Sequence, residues 1–170
     1  MRTFFIDKIP RIIKSKKQLE KKLKVKIINK GKQIYVSGKA EDEYVAEKVL
    51  DALDFGFALK IAMLIKDEDF ELEIIPIKNY TKKTDLRRIR ARIIGEGGKT
   101  LKTFTELTNC FFEIKDNYVS ILGHPEEIEK AYEAIIQLIR GSKHANVYKY
   151  LEQHRPEPVL DLGLKIKIKK

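Results

Sequence analysis

Arg92-Ile93-Ile94-Gly95-Glu96-Gly97-Gly98-Lys99-Thr100-Leu101 is the stretch that decides how this 170-residue chain is read. Three glycines interrupt apolar residues at helical spacing, which predicts helices over 85–94 and 99–108 with a tight turn between them. A glycine costs about 1 kcal/mol in a helix relative to alanine, so three together mark backbone that bends or is closely approached. Without Cβ atoms, the amides that open the second helix are reachable by a phosphate, and the positive helix end favours one. Three readings compete. Gly98-Lys99-Thr100 ends like an ATP-type phosphate loop, but Ile93 stands where that motif needs its first glycine, and a helix rather than a strand precedes it. A structural turn without a ligand is the second reading. A clamp on a nucleic-acid backbone is the third.

Outward from the turn, residues 70–77, 110–115 and 118–122 read as strands, the last two joined at Asp116-Asn117. Ile128, Ala131, Ile135, Leu138 and Ile139 then keep the spacing of one buried helical stripe. Pro125 suits a first helical position and Gly141 a helix stop. Strand, helix, helix, strand, strand, helix predicts an α+β module, a three-stranded sheet with helices on one face.

The pattern occurs twice. Shifted by 85 residues, Ile34, Val36 and Gly38 fall on Val119, Ile121 and Gly123, and Ala46, Leu50 and Leu53 fall on Ala131, Ile135 and Leu138. Such self-similarity predicts duplicated modules. The first copy reads as strands over 4–9, 25–29 and 33–37, with one helix over 15–24 and another after Gly38. At the 85-residue shift, Pro10-Arg11-Ile12-Ile13 takes the place of the turn and carries no glycine. Residues 57–65 and 145–153 each add a helix after a module. Pro156 and Pro158 end the last one. Leu164-Lys165-Ile166-Lys167-Ile168-Lys169-Lys170 alternates apolar and basic, as an added edge strand or a loose basic tail.

Charge follows these divisions. The net charge is +10, with balances of +10 over residues 1–32, −7 over 33–77, +7 over 78–102, −4 over 103–164 and +4 over 165–170. A basic block around the glycine turn suits phosphate neutralisation and counterion release, although a solvated lysine-rich face has the same composition. A single cysteine excludes a disulfide scaffold. No apolar run reaches the roughly 20 residues that span a bilayer, and the N-terminus does not read as a signal peptide. These features predict a soluble protein of the cytoplasm with no membrane contact.

Catalytic constellations are not evident. His144 and His154 are ten residues apart, off ligand spacing. His124 reads as a cap or surface residue, and Cys110 as a small apolar core residue. Asp67-Glu68-Asp69 reads as a solvated loop between modules. The chain is read as non-enzymatic, with no cofactor and no metal.

Ile-Gly-x-x-Gly-x-x-Leu inside this order of elements resembles the KH domain of RNA-binding proteins, over residues 70–141. In that family the glycine turn clamps about four unpaired nucleotides. Carried over by position, the resemblance implies a clamp of Gly95, Glu96, Gly97 and Gly98. Lys99 and Lys102 follow it, Arg88, Arg90 and Arg92 precede it, Ile94 and Leu101 form an apolar floor, and residues 110–115 supply the facing wall. Glu96 is an awkward residue there, since a carboxylate repels phosphate.

Two such modules with a worn first clamp, and the trailing Gly141-Ser142-Lys143-His144-Ala145-Asn146-Val147-Tyr148, resemble the Partner-of-NOB-one family, related to the Krr group. The resemblance implies two tandem type I KH modules, the first degenerate, each followed by an extra helix. Their limits are 1–66 and 67–155, with 156–170 as the tail or edge strand. It further implies single-stranded RNA binding near the 3′ end of small-subunit rRNA during pre-rRNA processing. The expected protein partners are the nuclease that trims that end and other small-subunit assembly factors, met by a monomer. The lack of a long N-terminal extension points to an archaeal member. A protein–protein adaptor whose modules serve mainly as scaffold is the alternative.

Overall fold

The computed structural model describes residues 1–67 and 69–155; the expected tail or edge strand over 156–170 lies outside them. The elements are β1 (Arg2–Phe5), α1 (Ile9–Leu23), β2 (Lys26–Lys30), β3 (Gln33–Ser37), α2 (Ala40–Phe55), α3 (Leu59–Ala62), α4 (Leu64–Asp67), β4 (Glu71–Pro76), α5 (Leu86–Ile94), α6 (Lys99–Thr108), β5 (Phe111–Lys115), β6 (Tyr118–Gly123), α7 (Pro125–Ile139) and α8 (His144–Gln153). No described helix is long and apolar enough to cross a membrane.

Two three-stranded antiparallel sheets form, in the orders β1-β3-β2 and β4-β6-β5. Across the two hairpins the 85-residue shift keeps register. Ile27 pairs with Val36 where Phe112 pairs with Ile121, and Lys30 with Gln33 where Lys115 pairs with Tyr118, all at the 85-residue shift. Lys24 and Asn109, also 85 apart, both take the left-handed conformation that ends a helix.

The opening strands obey a different shift. Arg2 faces Val36 as Glu73 faces Ile121, a separation of 71. The first unit is therefore 14 residues shorter between its opening strand and its hairpin. Those residues are the α5 region. One unbroken helix, α1, replaces the helix-turn-helix, and it begins at Ile9 rather than near residue 15 because Pro10 fits its first turn. The quartet Pro10-Arg11-Ile12-Ile13 is thus helical, not a worn turn. The appended helix expected over 57–65 is two single turns, α3 and α4, parted at Met63.

Each sheet covers its own core. Ile12, Leu19, Ile27, Ile34, Leu50 and Phe57 are buried in the first unit. Ile75, Ile89, Ile93, Phe104, Ile121 and Ile135 are buried in the second. The units meet where Phe70, Leu72, Phe111 and Leu122 of the second pack on the first core. At the matching hairpin positions the first sheet carries Lys26 and Ser37, both exposed. Lys115 Nζ, at the end of β5, pairs with Asp54 Oδ2 at 2.5 Å and Asp7 Oδ2 at 2.8 Å. Burial works against the Lys115 charge, yet these carboxylates hold its pKa above the ordinary lysine value.

Asp51, one turn before Asp54 on α2, carries an electrostatic cost. Burial first, then the Glu47 carboxylate, pushes its pKa up to about 6. The native state thus holds the Asp51 proton more tightly than the unfolded chain, so the contribution of this one group to stability is greatest below about pH 4 and is lost as pH rises through 6. Asp51→Asn is expected to raise Tm near pH 7.5 and to leave it unchanged below about pH 4, a contrast that thermal melts at the two pH values read directly.

Candidate nucleic-acid interface

Helix α5 starts at Asp85, whose carboxylate accepts the Arg88 amide at 3.2 Å, an N-cap. It ends at Gly95, whose amide donates to the Ala91 carbonyl at 2.9 Å. A single 3₁₀ turn, Glu96–Gly98, then leads into α6. Gly95, Gly97 and Gly98 all take positive φ, at 75°, 60° and 78°. The three differ in their surroundings. A Cβ on Gly95 would lie 2.2 Å from Thr100 Oγ1 and 2.8 Å from the Thr100 amide nitrogen. On Gly97 or Gly98 it would meet nothing within 4 Å. Gly95 is therefore needed for close packing inside the turn, whereas Gly97 and Gly98 leave bare backbone facing outward.

Thr100, assigned no place in the clamp from sequence, is the pivot of this packing. It is buried, and its hydroxyl accepts from the Tyr148 phenol at 3.4 Å. A buried threonine hydroxyl behind a helix-to-helix turn does not match the ATP-type loop, which needs a strand before it and an open hydroxyl.

α5 distributes its cationic side chains over different faces. Arg88 and Arg92, one turn apart, line a groove of about 600 Å³ against Leu138 and Ile139 of α7, and no residue of the turn enters that groove. The Arg92 guanidinium donates to the Leu138 carbonyl at 2.7 Å and to the Ser142 carbonyl, while the Arg92 carbonyl contacts His144 Nε2 at 2.9 Å. Arg92 thereby caps the end of α7 and seats α8. Arg90 donates to the Asp116 carbonyl at 2.9 Å, tying α5 to the end of β5. The exposed stripe that leads into the turn is instead Arg87, Ala91 and Ile94. Arg87 was not singled out in the sequence, although its spacing of seven from Ile94 carries the signal.

The remaining expected residues lie around the turn. Glu96, Lys99 and Lys102 are exposed. Ile94 is 37% exposed, an apolar surface beside bare backbone, and Leu101 is half-buried against the second core. On β5, Ile114 is half-buried against the same core. Glu113 is partly buried, and burial raises its pKa while Lys8 and Arg11 of the first unit oppose the shift. Cys110 is fully buried, which pushes its thiol up to about 12 and leaves it unreactive. Among the described residues no cluster of metal-ligating side chains forms.

Replacing Arg87 by alanine is expected to lower the slope of log K for RNA against log salt by about 0.7 at unchanged Tm. Arg92→Ala is expected to do the reverse, keeping the slope and lowering Tm. Salt-titrated binding and thermal melts of both variants check the division.

Comparison with known proteins agrees with this geometry. The eukaryotic-type KH domain (type I) matches residues 71–156. The KH domain-containing protein MJ0443 of Methanocaldococcus jannaschii is 34% identical over 147 residues, covering 82% of this chain and 65% of that protein. The RNA-binding protein PNO1 of Oryzias latipes is 34% identical over 106 residues, covering 61% of this chain. The chain thus spans 65% and 44% of the lengths of these two relatives. The crystal structure of Dim2p from Pyrococcus horikoshii OT3 superposes with a TM-score of 0.82 at 30% identity, covering 89% of this chain and 98% of that one. The same protein in an a/eIF2alpha-aDim2p-rRNA complex gives 0.81 at 30% identity, covering 90% and 92%. The chain belongs to the PNO1/Dim2-like family of type I KH-domain proteins.

Proposed function

We propose that this chain is a non-catalytic factor of small-subunit rRNA maturation that grips single-stranded rRNA near its 3′ end. The observation that carries the reading is the outward turn at residues 95–98, where Gly97 and Gly98 leave bare backbone beside exposed Ile94, Lys99 and Lys102. A sugar–phosphate strand can lie against such backbone at hydrogen-bonding distance, and the N-terminal end of α6 adds a favourable field. Lys99, Lys102, Arg87 and Arg88 supply attraction, Ile94 and Leu101 an apolar surface for bases, and β5 the facing wall. Support also comes from a relative of the same fold that occurs in a complex with rRNA.

The proposed division is a clamp-bearing KH module over 67–155 and a shortened module over 1–66 that lacks the α5 region. The first module has no glycine turn to offer RNA, so its role is to brace the second and to receive protein partners. The nuclease that trims the rRNA end and other assembly factors are the proposed partners.

Crosslinking the full chain to cellular RNA and mapping both ends of each link tests the proposal. Links from residues near the turn to the 3′ region of small-subunit rRNA are expected. Links confined to the first unit would reverse the roles of the two modules, and no affinity for single-stranded RNA beside a protein complex that survives nuclease would favour the adaptor reading.

A further inference from the structure

The outer face of the first sheet is aromatic and basic at once. Residues directly opposite in an antiparallel pair share a face. Phe5 stands opposite Gln33 and Gln33 opposite Lys30, Tyr35 opposite Ile28, and Ser37 opposite Lys26. The alternate residues Phe4, Ile27, Ile34 and Val36 turn to the core. Phe5 is 76% exposed and Ile28 41%. Tyr35 is half-buried, diagonal to Phe5 across the β1–β3 pair, with the Lys30 ammonium 5.7 Å from its ring centroid.

The same face of the second sheet is covered by the first unit. At the 85-residue shift the counterpart of Tyr35 is Ser120, which is fully buried. The counterpart of Lys30 is Lys115, held by Asp7 and Asp54. The counterpart of Ile28 is Glu113, which feels the charges of Lys8 and Arg11. The fold thus hides this face in one unit and shows it in the other.

We infer that the exposed face is a second contact for single-stranded RNA, with bases stacked on Phe5 and Tyr35 and phosphates drawn by Lys26, Lys30 and Lys32. Aromatic rings beside a cationic rim take unpaired bases with little regard to sequence, since every base has a π-face. Charge selects this occupant. Lys26, Lys30 and, in the turn between β2 and β3, Lys32 are exposed, and among the described residues none forms an ion pair. The two carboxylates of residues 1–32 are engaged elsewhere, Asp7 by Lys115 and Glu20 by the Ile27 amide at 2.8 Å. A second copy meeting this one face to face would set lysine against lysine. The inference rests on the proposed RNA binding of the chain. It adds to the bracing role of the first unit a contact made by side chains, where the second unit offers bare backbone.

Crosslinking the full chain to a thiouridine-bearing single-stranded RNA of about 30 nucleotides, room for two sites of up to about 16 each, tests the inference. Links to residues 2–5 and 33–37 are expected beside links near the glycine turn. Links near the turn alone would overturn the inference and leave the proposed function standing, whereas links to the sheet alone would keep it and remove the clamp. Affinity gives a second reading. Phe5→Ala and Tyr35→Ala together should weaken binding of the long RNA about tenfold or more, the effect of unstacking one or two bases. Binding of an RNA of about four nucleotides, the length that the turn alone holds, should not change. Phe5→Tyr, which keeps the ring, should bind as wild type does. Unchanged affinity of the double variant for the long RNA would overturn the inference, as would an equal loss for both RNAs. Self-association of the wild type that Phe5→Ala abolishes would assign the face to a second copy instead.

Discussion

Gly97→Asp is expected to weaken single-stranded RNA binding by about ten- to a hundredfold, the size of one charge-assisted hydrogen bond, while the protein stays folded. Both halves of the expectation rest on the same local geometry. Position 97 has φ 60° and ψ 22°, a left-handed conformation that aspartate tolerates better than most residues. A side chain there meets no other atom, so packing is undisturbed. Replacing glycine also narrows the unfolded ensemble, which offsets part of the conformational strain. What changes is the outer surface, where a carboxylate now stands in the path of a phosphate. Gly97→Asn separates the two causes, since it fills the same space without charge and should retain more affinity than the aspartate. Binding curves at one fixed salt concentration, with melts of all three proteins, give the answer. Equal affinity of wild type and Gly97→Asp in folded protein would remove the clamp.

Gly95→Ala is the converse case, with an expected loss of stability of about 3–5 kcal/mol and a fall in Tm on the order of 10 °C. The added methyl would sit 2.8 Å from the backbone nitrogen of Thr100, an atom that α6 holds in place. Its φ of 75° with ψ of 170° is a region reserved almost wholly for glycine. Relief would require Thr100 to leave its site beside Tyr148, loosening α8 as well. A double variant in which Gly95 and Gly97 are both changed would therefore confound unfolding with lost affinity. Thermal melts of the single Gly95→Ala protein decide the matter, and an unchanged Tm would mean that the turn can rearrange.

How much of this was legible in the sequence depended on whether the signal was local. The hairpins were readable because period-two apolar residues flank short turns, and the 85-residue shift placed Ile27, Ile34 and Val36 on their counterparts without knowledge of any contact. The glycine turn was readable because glycine has few other reasons to cluster between helices. The single helix α1 was not. An ungapped shift matched α1 against the turn and α6 together and hid the fact that 14 residues are missing upstream, where only the pairing of Arg2 with Val36 reveals them. The arginines show a second limit. Arg88, Arg90 and Arg92 look alike in a basic run, but helical geometry turns Arg90 to a different face from Arg88 and Arg92, and the carbonyls that engage Arg92 lie 46 and 50 residues downstream. No local pattern contains that information. The roles of Gly95 and Gly97 were likewise indistinguishable until Thr100 was placed.

Leu122 and Phe111 have a consequence for anyone who would cut the protein apart. They press on the neighbouring unit, whereas the matching positions of the first sheet, Ser37 and Lys26, are wetted. A fragment starting near residue 70 would carry a greasy plane into water and would be prone to self-associate. Affinities measured on such a piece would describe a clumped species, and dissection is safer by point substitution within the intact chain.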